Sequence, residues 1–414
     1  MMKQLLLLLL LPAATALSAQ NPGCDGTRYK LPVFSTVTKT TVKYCTAPSY
    51  FSNQTVDLHV DIYQPAGDTI SMRPALVLAH GGSFIFGNKS DMQQVCEVFA
   101  AKGYVALSIQ YRLYPVIPLG YPDSTAIMDA AMKAVSDMKA AVRFLRQDAA
   151  GANTFRIDPN HIFIGGYSAG AVTALHAGYL DNNDNIPGFI QSRINANGGL
   201  EGNSGDAANH AFSSASGAVV NMSGGLYRRE WIGPQSLPLV SIHGTADDVV
   251  NYNSGLAADI AYLEGSHLLH ARAEEVGVWN DLTTVVGAGH TDLYTSATYA
   301  APLYAFFDKA ANLLESLTCT ASGTSESAGR QAVDWNVYPN PVAFDGFRLD
   351  LPESLDRVDV SVYSMSGQQM YAEQGVEAGR LLPVHAWPQG MYLIRVQSQE
   401  HPEWLFPARL LLKQ

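Results

Sequence analysis

The chain has 414 residues, 47% of them hydrophobic, with 26 Lys+Arg against 37 Asp+Glu and a formal net charge of −11. At roughly 100–200 residues per domain this length suits one large domain with a small companion, and the apolar fraction excludes wholesale disorder. The acidic balance argues against a nucleic-acid surface, which needs clustered cations to displace counterions, and four cysteines are too few for a disulfide-built scaffold and lack the paired spacing of a zinc site.

The N-terminus carries Lys3, an unbroken apolar run Leu5–Leu11 and then small residues through Ala19. A cation, a short apolar core and a small-residue exit make a secretory signal peptide over residues 1–19, with Ala16 as the other cleavage point. The run is too short to span a bilayer, and no later stretch is long and apolar enough, so no stable membrane span is expected. Export lets disulfides persist. Cys24 and Cys45 flank a short segment and could close a small loop, leaving Cys96 and Cys319 as the second pair; spacing alone leaves the connectivity open.

Between residues 45 and 317, strand and helix patterns alternate. Val56–Tyr63 alternates strictly, Ala75–Ala79 and Tyr104–Ile109 are apolar runs, and Asp91–Lys102 is amphipathic. Ile127–Gln147 has helical spacing, with Met128, Met132, Val135, Ala141, Val142 and Leu145 as inward positions. Ile162–Ile164 leads into Gly165 and Gly166, and Ala171–Gly178 is helical. Gly217–Met222, Leu239–Ile242 and Thr283–Val286 read as strands, and Ala300–Leu317 as the closing helix. Apolar strands separated by helices predict an α/β fold, a doubly wound, mainly parallel sheet covered on both faces, within a catalytic domain over residues 20–317. In such sheets sites form where strands end and loops begin.

Gly166-Tyr167-Ser168-Ala169-Gly170 sits at such a point, with a strand before it and a helix after it, the context of a nucleophile elbow. A serine on so sharp a turn needs neighbours without bulk, and the following helix directs its free N–H groups at the reacting centre. Upstream, His80-Gly81-Gly82-Ser83 follows an apolar strand, where backbone N–H groups can form an oxyanion hole. The candidate donors are Gly81, Gly82 and, from the elbow, Ala169, with Ser83 not distinguished from the two glycines; His80 orients this loop and is not a base. Past the strand Leu239–Ile242, Asp247 is the predicted acid, with Asp248 as runner-up. His290, on a glycine-flanked loop after another strand, is placed to take the Ser168 proton and return it to the leaving alcohol. His267 and His270 read as solvated, His243 as packing under the acid loop, and His161 as following a turn.

Together these residues resemble the α/β-hydrolase superfamily over residues 45–317, and within it the secreted carboxylesterases with an HGG loop. Ile109-Gln110-Tyr111-Arg112-Leu113-Tyr114-Pro115 and Ile157-Asp158-Pro159-Asn160-His161-Ile162 are similar to segments of that group. Three departures leave the subfamily open: Ser83 stands where a third loop glycine is usual, Tyr167 precedes the nucleophile, and Val116 follows Pro115 where the hormone-sensitive-lipase-like branch has an acid. The resemblance implies a serine ester hydrolase that works through an acyl-enzyme on Ser168 with Asp247 and His290. It also implies that the first and last covering helices share a sheet face, which makes Cys96 and Cys319 neighbours. No phosphate-binding glycine loop, HExxH or basic aromatic patch is present, so no cofactor, catalytic metal or nucleic acid is implied. Phe84, Tyr167 and Trp231 are the candidate substrate-binding residues, with Phe86 and Leu226 beside predicted strand ends, and Asp181–Ser216 is a long insertion that reads as a lid or mobile surface. The expected partner is a small or polymer-attached ester. A serine peptidase and a non-catalytic surface-binding protein are the alternatives, because the same residues cleave amides and a fold alone does not assign an activity.

Beyond Cys319 the composition changes. Residues 318–332, with Thr320–Arg330 small and polar, read as a linker. Residues 333–414 then carry period-two runs at Phe347–Leu351, Val358–Tyr363 and Met391–Val396, which predict a small C-terminal β-sandwich. Val337-Tyr338-Pro339-Asn340-Pro341 opens this region, Pro388-Gln389-Gly390-Met391-Tyr392 precedes a late strand, and Ala408–Gln414 closes it. These features resemble the C-terminal sorting domain of the type IX secretion system of Bacteroidota. The resemblance implies contact with that secretion machinery, export through the periplasm and outer membrane to the cell surface or exterior, and removal of the domain.

Overall fold

The apolar runs Ala75–Ala79 and Val105–Ile109 become strands buried on both faces in the computed structural model, which describes residues 21, 23–319, 335–340, 342, 346–352, 355, 357–364, 369–400 and 409–413. The expected signal peptide 1–19 and residues 320–332 of the expected linker lie outside the described residues. In chain order come β1 (Val37–Pro48), β2 (Thr55–Pro65), β3 (Arg73–Ala79), α1 (Gln93–Ala101), β4 (Val105–Ile109), α2 (Val116–Leu119), α3 (Ser124–Ala150), β5 (Ile157–Tyr167), α4 (Ala169–Tyr179), α5 (Gly188–Ala196) and α6 (Ala207–His210). Then follow β6 (Val219–Met222), β7 (Gly225–Leu226), β8 (Leu239–Gly244), β9 (Ser254–Ala257), β10 (Ala261–Gly265), α7 (Ser266–Val276), β11 (Asn280–Val285), α8 (Asp292–Thr295) and α9 (Ala300–Cys319).

The main sheet has eight strands in the order β1-β2-β4-β3-β5-β6-β8-β11. β1 and β2 pair antiparallel at one edge, and the strands from β4 to β11 run parallel. Alternation along β3 divides the core: Ala75, Val77 and Ala79 face the layer of α3, α4 and α7, while Leu76 and Leu78 face α1 and α9. This is the doubly wound, mainly parallel α/β sheet that uniformly apolar strands require, since both faces must be covered.

The first and last large covering helices do share a face, with Phe99 of α1 and Phe307 of α9 ring to ring at 6.2 Å. The cysteines nevertheless pair otherwise. Cys24 is bonded to Cys319, with Cα atoms 5.5 Å apart, while Cys45 and Cys96 are free and buried. Neither the Cys24–Cys45 loop nor the Cys96–Cys319 bridge exists. The reason lies in the N-terminal segment, which crosses the α1–α9 face: Tyr29 donates its N–H to the Lys102 carbonyl and packs edge-on against Tyr104, and the Tyr104 hydroxyl donates to the Ala311 carbonyl of α9. That path carries Cys24 to the end of α9, and Cys96 is left inside the apolar layer.

The insertion Asp181–Ser216 is neither a lid nor a loose surface. It docks on α3 through α5, α6 and a buried polar cluster. Asp137 of α3 accepts from the Arg112 side chain at 3.0 Å and from the Ser204 hydroxyl at 2.5 Å, and Arg143 donates to Asn209 at 2.8 Å and to the Ser204 carbonyl at 3.0 Å. Removing any partner would strand a buried charge, so the cluster holds the insertion in one place.

At the C-terminus, β12 (Asn336–Tyr338), β13 (Gly346–Asp350) and β16 (Leu382–Pro383) form one antiparallel sheet. A second antiparallel sheet contains β15 (Gln369–Glu377), β14 (Arg357–Ser364), β17 (Gly390–Gln397) and β18 (Arg409–Lys413). Trp335, Phe347, Val360, Val362 and Ile394 fill the core of this small β-sandwich.

Candidate active site

The loops that follow β5, β8 and β11 leave the carboxyl ends of parallel strands and converge at one rim of the sheet, the position where open α/β sheets bind ligands. Ser168 lies between β5 and α4 with φ 53° and ψ −121°. A side chain held in that region costs roughly 1–3 kcal/mol and persists only where its surroundings enforce it. Enforcement comes from close backbone approach. A Cβ on Gly166 would lie 2.4 Å from the Gly170 carbonyl carbon, and one on Gly170 would lie 2.0 Å from the Ala79 carbonyl oxygen. The Ser168 N–H donates to the Met222 carbonyl at 2.9 Å, which ties the turn to β6.

Ser168 Oγ is 2.8 Å from Nε2 of His290, and His290 Nδ1 is 2.7 Å from Asp247 Oδ2. The carboxylate can only accept, so Nδ1 carries the hydrogen and Nε2 presents its lone pair to the serine hydroxyl. Asp247 is buried. Its Oδ1 takes the N–H groups of Val249 and Val250, at 3.0 and 2.8 Å, and its Oδ2 also faces Nε2 of His243 at 3.2 Å. Burial would raise the carboxyl, but the hydrogen bonds from His243 and His290 outweigh it and hold Asp247 well below the usual carboxylate range. Asp248, next along the chain, is exposed. Tyr167 stacks on the His290 ring at 5.3 Å and donates its hydroxyl to the His290 carbonyl at 3.2 Å, which fixes the loop carrying the imidazole.

The loop after β3 lies against the same serine. A Cβ on Gly81 would fall 3.2 Å from Ser168 Cβ, and one on Gly82, whose φ is +115°, would fall 2.2 Å from the Phe86 carbonyl oxygen. The Gly82 carbonyl accepts the N–H groups of Ile85 and Phe86, each at 2.9 Å, and this tight turn lifts Ser83 and Phe84 over the site. His80 is fully buried: Nδ1–H donates to the Gly81 carbonyl at 2.7 Å, the ring stacks on Tyr111 at 4.3 Å, and burial lowers its pKa. It therefore shapes the loop. The Ala169 N–H is the first of α4 and has no acceptor within the helix.

Behind Ser168 opens a narrow cavity of about 50 Å³. Its walls are Phe84, Ile127, Met128 and Ala131 on one side, Val172 and His176 of α4 at the back, and Val249, Val250, Ala257, Ile260 and Leu263 opposite. Apart from Ser83, Ser168 and His176 the lining is apolar. Burial lowers His176 to about 4, and the ring is neutral, with Nδ1–H donated to the Val172 carbonyl at 2.8 Å. Among the expected substrate-binding residues, Phe84 lines the cavity. Trp231 does not: it is buried one layer further out, edge-on to His176 at 5.7 Å. Tyr167 serves the His290 loop instead, Phe86 is 63% exposed, and Leu226 is core. His270, expected to be solvated, is buried and bonded to Ser241 and Asn280.

Sequence reasoning missed two walls. Ile127, Met128 and Ala131 sit on the apolar stripe of α3, where cavity-facing and core-facing positions have the same spacing. The β9–β10 hairpin turns through Ala258 and Asp259, with φ of 47° and 59°, where a turn signal of the Asn-Gly kind would have announced it.

Comparison with known proteins bears on both halves of the chain. Residues 60–226 match the BD-FAE family, and residues 336–404 match the secretion system C-terminal sorting domain. Thermogutta terrifontis esterase 2 phosphoramylated by tabun is similar in structure, at 21% identity and a TM-score of 0.50, over 69% of this chain and 97% of that one. The apo form of the same esterase aligns at 22% identity, also with a TM-score of 0.50, over 69% and 96% of the two chains. At these identities the likeness shows the fold. Methylphloroacetophenone synthase of Cladonia uncialis is 31% identical over 128 residues, which is 30% of this chain and only 5% of the length of that curated relative. The BD-FAE match thus spans the strained serine turn at the rim of the parallel sheet, and the sorting-domain match falls on the small C-terminal β-sandwich.

Proposed function

We propose that the chain is a secreted serine carboxylic-ester hydrolase. The reading rests on one observation: Ser168, His290 and Asp247 form a continuous hydrogen-bond line, 2.8 and 2.7 Å, at the foot of an apolar cavity. His290 Nε2 removes the hydroxyl proton as Ser168 Oγ attacks the ester carbonyl. The carbonyl oxygen gathers charge in front of the N–H groups of Gly81, Gly82 and Ala169, each such donor being worth about 3–4 kcal/mol in the transition state. His290 then gives the proton to the departing alkoxide, and an acyl group remains on Ser168. Water, deprotonated by the same imidazole, attacks that acyl-enzyme and releases the acid. Asp247 stays ionised throughout and stabilises the imidazolium.

The apolar cavity takes the hydrocarbon part of a small or polymer-attached ester. Residues 20–317 carry this activity, and residues 333–414 engage the type IX machinery for passage through the outer membrane and are then removed. An organophosphonate should add one phosphonyl group at Ser168, found by peptide mass analysis, and Ser168→Ala should abolish p-nitrophenyl acetate hydrolysis. Full activity in that variant would overturn the proposal. Turnover of aminoacyl anilides above that of esters would replace it with a peptidase.

A further inference from the structure

A second buried histidine touches the Asp247 carboxylate, and the direction of its hydrogen can be deduced from backbone groups alone. Asn280 Nδ2 donates to the Val278 carbonyl at 3.0 Å, so its Oδ1 faces His270 Nδ1 at 2.8 Å and must accept from it. His270 is lowered to about 4 by burial and is neutral, so its Nε2 accepts the Ser241 hydroxyl at 2.8 Å. Asn221 Oδ1 takes the Gly224 N–H at 2.9 Å, so its Nδ2 supplies hydrogens to Ser241 and Ser266, both at 2.9 Å. The Ser266 oxygen could accept a second hydrogen, but Nε2 of His243 faces only acceptors and must carry the ring hydrogen, so Nδ1 is a bare lone pair and Ser266 donates its own hydrogen to it at 2.7 Å. The hydrogen on His243 Nε2 is shared between the Val250 carbonyl at 2.8 Å and Asp247 Oδ2 at 3.2 Å. Asn221, Ser241, Ser266 and His243 are all fully buried, so no solvent can reverse the chain.

We infer that Asn221, Ser266 and His243 are positioning residues that lock one tautomer of His243 and so keep a second imidazole N–H on the Asp247 oxygen that holds His290. The inference rests on the ester-hydrolase reading above. With the other tautomer, Nε2 would turn a lone pair against a carboxylate, and the carboxylate would rotate away from His290. The fold supplies this arrangement economically. Asn221 and Ser241 are register partners on β6 and β8, and Ser266 and His270 lie one turn apart on the same face of α7.

Two small substitutions test the lock in the full-length mature chain. Ser266→Ala removes the hydrogen that His243 Nδ1 accepts. Asn221→Asp keeps the shape but replaces the paired N–H donors with acceptors, so that both serine hydroxyls turn toward it. Each should lower kcat on p-nitrophenyl acetate on the order of tenfold with KM nearly unchanged, as expected when groups behind a reacting side chain lose their orientation. Each should also shift or broaden the downfield proton resonance of His290 Nδ1–H in folded protein. His243→Gln, which retains an N–H, should keep more kcat than His243→Leu. Wild-type kcat and an unmoved resonance in both small variants would overturn the lock, even if their melting temperatures fall. An inert wild type would instead refute the ester-hydrolase reading, and the resonance would still report on the lock.

Discussion

His176 forms the back of the cavity, and its burial makes acid sensitivity calculable. The ring is 2% exposed, and its pKa falls from the ordinary 6.5 to about 4 because burial disfavours the cation. Between those values the unfolded chain binds a proton that the folded chain refuses. Stability from this group is therefore complete above pH 6.5, is lost as pH falls toward 4, and changes no further below that. Each pKa unit corresponds to about 1.4 kcal/mol, so the loss between pH 8 and pH 4 is about 3 kcal/mol. His270, also lowered to about 4, adds a similar amount over the same window. The perturbation is His176→Leu, and the assay is urea unfolding of both proteins at pH 8 and pH 4. The substitution carries its own cost from lost packing and hydrogen bonding, but that cost is present at both pH values and cancels. The variant should lose about 3 kcal/mol less than the wild type between them. Equal losses in the two proteins would refute the claim that a neutral imidazole is held in the cavity wall.

Two other substitutions probe the loop and the bridge. Gly82→Ala forces a side chain into a left-handed backbone position against the Phe86 carbonyl; kcat should drop by about 10²–10³ through loss of an oxyanion donor, with the fold intact by circular dichroism. Cys24→Ser opens a loop with a sequence separation of 295, for which chain entropy sets an upper limit of about 5–6 kcal/mol. Its melting temperature should fall by up to about 10 °C while kcat at 25 °C is unchanged, a comparison made by calorimetry and p-nitrophenyl acetate turnover.

The parts of the fold that were legible in the sequence are those whose cause is local. Ala75–Ala79 is apolar at every position because β3 is covered on both faces, and no other environment tolerates that pattern in a strand of this length. The elbow was legible because Gly166 and Gly170 are required by contacts within and just beside the turn itself. The disulfide was not legible. Its formation depends on the path of residues 23–36 across the α1–α9 face, and that path is set by contacts such as Tyr29 with Tyr104, which carry no sequence signature. The insertion read as a lid because it is long and rich in Asn and Gly, yet Ser204 and Asn209 are the residues that fasten it to Asp137 and Arg143.

The same division runs through the candidate site. Ser168, Asp247 and His290 each follow a strand end, so strand patterns and loop chemistry were enough to single them out one at a time. The walls of the cavity and the chain from Asn221 to His243 draw on α3, α4, β6, β8, β9, β10 and α7, whose common property is where the sheet puts them. Met128 and Met132 show the difficulty: both lie on the buried stripe of α3, yet Met128 borders the space behind Ser168 and Met132 does not. Helical spacing cannot separate them, because the neighbour across the gap is the β9–β10 hairpin, roughly 130 residues later in the sequence. Reactive groups can be read one loop at a time, whereas the shape that selects a substrate is a property of the assembled sheet, and substitutions in α3 should therefore change which esters are cleaved while leaving the chemistry at Ser168 unchanged.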